Sequence, residues 1–326
     1  MDVIESYAQS LKLIRKTSSK VWIYSLLGAV ILLPVYGPQR FVYLATLIFI
    51  WTIGVLGQNL LIGYTGQISL GQAGFLAIGA YALGHLAKMA VPWPLALIGA
   101  GIISAAAGLL VGFPSLRLKG PYLAVATLGF GIAVYQVLTN SLVLSGGGMG
   151  LTIQKLTPPF GIAAEKVYFY LYLGIALLFL LGSFHLISSY LGRAFIAIRD
   201  NDIAAEVLGV NLTRYKLMAF VISSFYMGIQ GGLYALFLGF VEPNMFTFEK
   251  TVAYLVAIIV GGLASVEGAL LGAAFITLVP QAFSDYKEMV PLIYGLAIII
   301  ILIFEPRGLA GRLTKIRLFF SNWPYR

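Results

Sequence analysis

Long stretches without a charged residue constrain this chain more than any other feature of its sequence. No Asp, Glu, Lys or Arg lies between Lys20 and Arg40, between Arg40 and Lys88, or between Lys119 and Lys155. A helix needs about 20 mainly apolar residues to cross the hydrocarbon core of a bilayer. The first stretch is therefore long enough for one crossing and the second for two. The pattern predicts a membrane protein with many transmembrane helices.

The composition excludes the other broad classes of protein. Only 10% of the residues are charged and 60% are hydrophobic, whereas an average soluble domain is about 25% charged. A soluble protein of this length needs more polar surface than that, and a disordered chain is much less hydrophobic. The chain has no cysteine, which excludes a disulfide framework, a thiolate metal site and a cysteine nucleophile.

The gaps between charges divide the chain into about ten crossings of an all-α polytopic protein. The last three segments are short for full spans, and glycines at 71–74 and at 261–262 interrupt two of the helical patterns. We therefore expect some of the segments to be half-helices or re-entrant, where they line a cavity or pack against protein. The predicted crossings are 21–37, 41–62, 66–87, 93–112, 120–140, 167–189, 217–240, 250–264, 268–283 and 289–304.

The distribution of Lys and Arg orients these crossings. With the N-terminus inside, most of the 21 basic residues fall in the inner segments, as the positive-inside rule requires. Both termini are then cytoplasmic, and the net charge of +9 reflects topology, with no nucleic-acid partner implied. The predicted regions are a cytoplasmic segment 1–20, a transmembrane domain 21–304 with an outer loop 141–166 and an inner loop 190–216, and a basic tail 305–326.

Glycines within the spans recur at a spacing typical of close helix packing. Pairs four residues apart occur at Gly108 and Gly112, at Gly228 and Gly232, and at Gly268 and Gly272. Small residues at this spacing let helix backbones approach each other in lipid. We expect these pairs to be packing sites, with a substrate-lining role as the minority alternative.

One glycine-rich stretch, residues 63–75, has polar side chains that packing alone does not explain. It reads GYTGQISLGQAGF and contains Gln67, Ser69 and Gln72 but no charge. Uncharged hydrogen-bonding groups on flexible backbone suit a transport pathway or gate, while a simple turn between two crossings remains the alternative.

A second such stretch, residues 261–268, lies between two short late segments. Gly261, Gly262 and Ser265 are its candidate pathway residues. By the predicted topology, residues 41–140 and 217–304 each cross four times in opposite senses. This is the arrangement expected of inverted repeats.

The inner loop 190–216 is the most polar part of the chain and predicts a docking element. Asp200 or Asn201 can cap a short helix, with Ile203, Val207 and Leu208 on its apolar face and Gly209 as its stop. Such a helix in a cytoplasmic loop suits a soluble partner, and an amphipathic helix lying at the membrane surface is the alternative. The candidate coupling residues are Arg199, Asp200, Asp202, Ala205, Leu208 and Gly209.

The sequence lacks the motifs that several kinds of chemistry require. The phosphate-binding pattern G-x-x-x-x-G-K-[ST] does not occur, so we expect no nucleotide hydrolysis by this chain. The two histidines, His85 and His185, lie in different spans without a metal-ligand pattern. No intramembrane set of charges suggests ion coupling. A transporter of this kind draws its energy from a partner.

Four stretches together resemble permease subunits of high-affinity branched-chain amino acid ABC importers. The stretch 63–75 followed by AIGAY resembles their N-terminal motif, and residues 197–220 resemble their cytoplasmic coupling segment. The outer loop 145–152 and the pattern from 239 to 272 are also similar, and the coverage runs from about residue 41 to 310. Glu267 departs from the family pattern, in which this residue is often uncharged.

The resemblance implies a fold like that of type II ABC importers, in a bacterial-type inner membrane. It also implies a second homologous permease as heterodimer partner, two cytoplasmic ATPases and an extracytoplasmic substrate-binding protein. ATP and magnesium would be bound by the ATPases, with no cofactor on this chain. The alternatives are a permease of the same family for urea, short amides or other amino acids, and an ATP-independent channel.

Overall fold

The computed structural model describes residues 28, 30–116, 118, 120–155, 164–283, 285, 289–305 and 308–322. The predicted segment 1–20 lies outside them, as do residues 21–27 and 29 of the first predicted crossing. The helices are α1 (30–36), α2 (Gln39–Asn59, continued by a π-helical turn Leu60–Tyr64), α3 (Gln72–Lys88), α4 (Trp93–Ser115), α5 (Pro121–Asn140), α6 (Leu142–Ser145), α7 (Ala164–Ser188), α8 (Tyr190–Asp200), α9 (Asp202–Val207), α10 (Leu212–Leu238), α11 (Phe248–Gly261), α12 (Val266–Ala282), α13 (Val290–Phe304) and α14 (Gly308–Asn322).

Within the described residues, six helical segments are long and apolar enough to cross a membrane. A seventh is added if α13 and the first half of α14, which meet at a bend of 42°, form one span. The prediction of an all-α polytopic membrane protein is confirmed. Its count of about ten crossings fits only loosely, because α3 and α12 are shorter than a full span. The six long segments are Gln39–Tyr64, Trp93–Ser115, Pro121–Asn140, Glu165–Ser188, Leu212–Leu238 and Pro243–Gly261.

The third predicted crossing, 66–87, begins too early. Residues 65–71 are not helical, and α3 starts only at Gln72. The physical reason is the glycine content of this segment, since Gly66 adopts a positive φ of 70° that L-residues avoid in a helix. The chain thus breaks between α2 and α3, as expected for a discontinuous span.

The two halves of the membrane domain pack with the same pattern. The first half contains α2–α5 and the second contains α10–α13. The first helix of each half packs against the second and third helices of the other half, so α2 contacts α11 and α12 while α10 contacts α3 and α4. Within each half, the second helix contacts the third and the fourth. Because the first helix of each half packs in the same way against the other half, these contacts support the predicted internal repeat.

The glycine pairs of the sequence lie at helix contacts, which confirms their packing role. A Cβ atom on Gly228 of α10 would come within 2.7 Å of the Ala100 carbonyl oxygen of α4. A Cβ atom on Gly268 of α12 would lie 2.7 Å from the carbonyl oxygen of Gly261 at the end of α11. Only glycine allows backbones this close, and van der Waals contact drives helix association in lipid.

A two-stranded sheet closes the end of the molecule that the prediction places outside. Strand β1 (Leu151–Thr152) pairs antiparallel with β2 (Phe240–Val241), in the register Leu151 with Val241. The preceding turn needs glycine, because Gly146, Gly147, Gly148 and Gly150 all have positive φ. The outer loop is thereby attached to the segment that follows α10.

Candidate coupling surface and transport pathway

Helix α8 anchors the polar segment 190–216 to the membrane domain. Its Phe195 and Ile198 side chains are buried, and it packs against α7, α10 and the π-helical turn after α2. The segment predicted as an inner loop is therefore largely helical, because its apolar residues recur at helical spacing. Helix α8 holds the short helix α9 at a defined position.

Helix α9 is capped at both ends. The Asn201 side-chain oxygen accepts a hydrogen bond from the Ala204 amide at 3.0 Å, which selects Asn201 between the two predicted caps. At the other end, the Gly209 amide donates to the Glu206 carbonyl and the Val210 amide to the Ala205 carbonyl, both at 2.9 Å. With φ of 87° at Gly209, this is a Schellman stop. The expected short helix is present.

The apolar residues of α9 face away from the protein. Ile203 is 69% exposed, and Val207 and Leu208 are each 83% exposed. Ala205 is only 2% exposed, so of the predicted coupling residues this one packs inward and supports the helix. Three exposed aliphatic side chains on one short capped helix form a protruding surface, which we call the docking surface (Ile203, Val207 and Leu208).

Hydrogen bonds tie this region to the break after α2. One Arg199 guanidinium nitrogen donates to the Gly63 carbonyl at 3.2 Å, and the same guanidinium pairs with Asp200 at 2.9 Å. The Gln67 amide nitrogen donates to the Lys216 carbonyl at 3.2 Å. The Lys216 ammonium lies 3.5 Å from the Asp202 carboxylate. Residues 63–67 are thus held to the end of α8 and the start of α10.

The predicted pathway residues of the first stretch are buried in this subunit. Gln67, Ser69 and Gln72 have almost no exposed surface. Among the described residues, neither atom of the Gln72 amide has a hydrogen-bond partner. The Leu70 amide donates to the Thr127 hydroxyl of α5 at 2.9 Å, which fixes the break against α5. The bonds of Gln67 and of the Leu70 amide hold the break in place, and a pathway role for Gln67, Ser69 and Gln72 stays a prediction.

The second predicted stretch, residues 261–268, packs against the end of α2. The Asn59 amide nitrogen donates to the Ser265 carbonyl at 2.8 Å, and the Ala264 amide donates to the Asn59 side-chain oxygen at 2.9 Å. Gly261 and Gly262 are buried, and a Cβ atom on Gly63 would come within 2.6 Å of the Ala264 amide nitrogen. The turn between α11 and α12 therefore packs beside the start of the first stretch.

Two helices begin beside the middle of the candidate span Gln39–Tyr64. The Lys250 ammonium in the first turn of α11 lies 5.3 Å from the ring centre of Trp51, at the centre of the 26-residue span Gln39–Tyr64. The Ala73 amide in the first turn of α3 lies 3.4 Å from the Thr251 hydroxyl oxygen of α11. The starts of α3 and α11 thus meet at the depth of Trp51, away from both ends of that span.

Sequence reasoning missed the segment that meets α3. It placed 241–249 outside the membrane and gave no role to Asn59, Lys250 or Thr251. Two signals were present, namely Pro243, which cannot continue a helix, and a lysine within an apolar region, which marks a functional position in membrane proteins. Gln230 was also missed, although its side-chain oxygen accepts a 2.6 Å hydrogen bond from Tyr254.

In the described part of the chain, each histidine ring is hydrogen-bonded to a backbone carbonyl. The His85 ring bonds to the Leu144 carbonyl at 2.9 Å and the His185 ring to the Leu181 carbonyl at 2.8 Å. Among the described residues, no group of three His, Cys, Asp or Glu could hold a metal ion.

Comparison with known proteins supports a transport role. Residues 40–304 match the family described as "Branched-chain amino acid transport system / permease component". The high-affinity branched-chain amino acid transport system permease protein LivM of Salmonella typhimurium is 35% identical over 319 residues, 89% of this chain and 74% of that protein. The LivM protein of Escherichia coli is 34% identical over 332 residues, 93% of this chain and 77% of that protein.

A more distant relative is an autoinducer 2 import system permease protein, LsrC of an Enterobacter species. It is 29% identical over 229 residues, 67% of this chain and 64% of that protein. No solved structure matches the chain. Since the family match covers well over half of the chain and two relatives exceed 30% identity over most of it, this chain belongs to the family of branched-chain amino acid transport system permease components.

Proposed function

We propose that this chain forms part of the membrane pathway of an ATP-driven importer for branched-chain amino acids. The chain is a non-catalytic permease component of an ABC transporter. In the proposed complex it pairs with a second homologous permease, two cytoplasmic ATPases bind ATP and magnesium, and an extracytoplasmic binding protein delivers the substrate. Both termini lie in the cytoplasm.

The docking surface is the observation that carries the proposal. Exposed aliphatic side chains at the membrane surface are costly unless a partner or lipid covers them. Helix α9 is too short to be an independent membrane anchor, and its caps fix the three side chains in one orientation. This suits insertion into a groove of a soluble ATPase.

Basic residues around α9 support a cytoplasmic position. Arg193, Arg199, Arg214 and Lys216 all lie within the segment 190–216. Lys and Arg are retained on the cytoplasmic side of membrane proteins. An ATPase in the cytoplasm can therefore reach the docking surface.

The contacts of Arg199 and Gln67 supply the coupling mechanism. When ATP binding moves the two ATPases together, α8 and α9 move with them. The hydrogen bonds from Arg199 to Gly63 and from Gln67 to Lys216 carry that motion to residues 63–71. These residues are not helical from 65 to 71, so the backbone between α2 and α3 can change its path without breaking a helix.

The alternative substrates and the channel alternative are less well supported. The two relatives above 30% identity are both named for branched-chain amino acids, which argues against urea or a short amide. A channel that works alone needs no protruding apolar surface in its cytoplasmic segment.

Reconstitution tests the proposed function directly. The chain should co-purify in mild detergent with ATPases and a second permease. In proteoliposomes the complex should take up leucine only with ATP and the loaded binding protein, and this chain alone should give no flux. ATP-independent flux through this chain alone would show a channel, and a binding protein that prefers urea to leucine would refute the substrate.

A single substitution tests the docking surface. Leu208→Ser should lower the amount of co-purified ATPase at least fivefold, because it removes an exposed aliphatic contact. Met149→Ser is the matched control, since Met149 is 84% exposed in the predicted outer loop and should leave ATPase binding unchanged. Equal ATPase recovery with both variants would remove α9 from the interface.

A further inference from the structure

A cleft of about 250 Å³ lies beside the point where α3 and α11 begin. Its walls come from three places: the break before α3, the middle of α5, and the segment leading into α11. Leu70, Leu128, Ile132, Phe246 and Phe248 make most of this lining apolar. Thr251, which meets Ala73 beside the middle of the span Gln39–Tyr64, also lines the cleft, and we therefore place the cleft at mid-membrane depth.

The cleft is suited to a small amphipathic molecule. Pockets that bind drug-sized ligands measure roughly 300–1,000 Å³, so a cleft of this volume suits a smaller compound. The hydroxyls of Tyr135, Thr247 and Thr251 are the side-chain polar groups of the lining. The Tyr135 hydroxyl donates to the Asn244 side-chain oxygen at 3.0 Å, which holds it at one edge. An aliphatic side chain fits against the walls while a polar backbone reaches the hydroxyls.

The cleft is accessible from outside this subunit. Ile132 lines it and is 55% exposed on α5. Helix α5 is the least buried of the six long apolar segments in the described chain. A molecule moving along the exposed face of α5 can therefore enter the cleft without a rearrangement of the buried core.

We propose that this mid-membrane cleft receives the aliphatic side chain of the amino acid during its passage and selects for that side chain's length. The proposal rests on the proposed import of branched-chain amino acids. A hydrophobic pocket discriminates about 10- to 200-fold for one methylene group. The cleft thus adds a second selection step after the binding protein, within the permease itself.

Gly131 offers a way to fill the cleft without disturbing the helix contact. It lines the cleft, and a Cβ atom there would lie 3.7 Å from the Gly71 Cα atom, an ordinary contact. Gly131→Ala should therefore fold normally and shorten the cleft, and Gly131→Leu should fill it. Gly129→Leu is the matched control on the same helix, because a Cβ atom there has no atom within 4 Å and the residue does not line the cleft.

Transport rates at saturating loaded binding protein give the first readout. In the reconstituted complex, Gly131→Ala should lower the ratio of leucine to valine uptake at least threefold, and Gly131→Leu should lower both rates at least tenfold. Gly129→Leu should keep the wild-type ratio, and all variants should co-purify with the ATPases. If both Gly131 variants kept the wild-type uptake rates and the wild-type ratio of leucine to valine uptake, the cleft proposal would be wrong and the proposed function would stand. A wild-type complex that imports no branched-chain amino acid would overturn the proposed function as well.

Thiol labelling gives a second readout that does not depend on rates. The chain has no cysteine, so Ile132→Cys introduces a unique thiol in this subunit. Leucine-loaded binding protein with ATP should slow its reaction with a small methanethiosulfonate at least threefold. Ile103→Cys, at an exposed position of α4, should show no protection. Three results would assign the cleft to another occupant and refute the proposal. They are labelling of Ile132→Cys without protection, crosslinking of its thiol to the second permease, and reaction only with a lipid-soluble reagent.

Discussion

Asn59 shows how one side chain can hold two distant parts of the fold together. It is buried near the end of α2, and both ends of its amide bond the backbone of the turn between α11 and α12. The Ala264 residue of that turn has a positive φ of 55°, which is unfavourable for a residue with a Cβ atom. The two hydrogen bonds from Asn59 stabilise this conformation.

Asn59→Ala should destabilise the protein by about 2 kcal/mol or more, because each buried backbone group left without a partner costs roughly 1–3 kcal/mol. The apparent melting temperature in detergent should fall by several degrees. Asn140→Ala is the control, since Asn140 donates only to the Gln136 carbonyl at an exposed position and its loss should have little effect. Equal melting temperatures for the two variants would contradict the role of Asn59.

At the scale of elements, α8 and α9 act as one unit because of how they are attached. Buried side chains fix α8 to α7 and α10, and α9 follows after a single capping residue, Asn201. Arg199 is the last basic residue of α8 and the one whose side chain reaches the Gly63 carbonyl. We therefore expect motion of α9 to reach the break through Arg199.

Arg199→Ala should uncouple the importer without releasing the ATPases. The docking surface remains intact, but the bond to Gly63 is lost, so leucine uptake per ATP hydrolysed should fall at least threefold. Arg193→Ala is the control on the same helix, because Arg193 bonds the Ser188 carbonyl at 3.2 Å and lies over the Tyr190 ring. A wild-type ratio of uptake to hydrolysis in Arg199→Ala would refute the coupling route.

At the scale of the whole molecule, the interlocked halves depend on glycine contacts in the centre. Helix α10 packs against both α3 and α4. A Cβ atom on Gly79 of α3 would overlap the Gly228 backbone of α10, and one on Gly231 would overlap the Leu76 carbonyl of α3. These contacts involve backbone on both sides, so a larger side chain cannot be accommodated by a change of rotamer.

Gly79→Leu should prevent the two halves from assembling. Overpacking of a core usually costs about 1–3 kcal/mol, and a clash with backbone is at the upper end or beyond. The variant should give little monodisperse protein on size-exclusion chromatography. Gly174→Leu on α7, where a Cβ atom has no atom within 4 Å, should behave as wild type. A monodisperse Gly79→Leu with wild-type uptake would contradict this packing.

Part of the fold and of the coupling surface was predictable because it depends on local patterns. Uncharged stretches of bilayer length predict spans, and the order of Asn201, the exposed aliphatic residues and Gly209 predicts a short capped helix. The pathway residues were harder. Gln67 and Gln72 are polar residues in an apolar region, which suggested a pathway or gate. The structure buries both side chains and links Gln67 to the Lys216 carbonyl, and their role in transport stays a prediction.

The sequence by itself determined that this is an all-α membrane protein with a short capped helix in a basic segment, because hydrophobicity, charge and capping act over a few residues. Only the tertiary structure decided that α3 and α11 begin side by side in the membrane, and that a cleft lies next to them on α5. Those features depend on contacts such as Ala73 with Thr251, between residues far apart in the chain. The glycines that allow such close approach are visible in the sequence, but their partners are not.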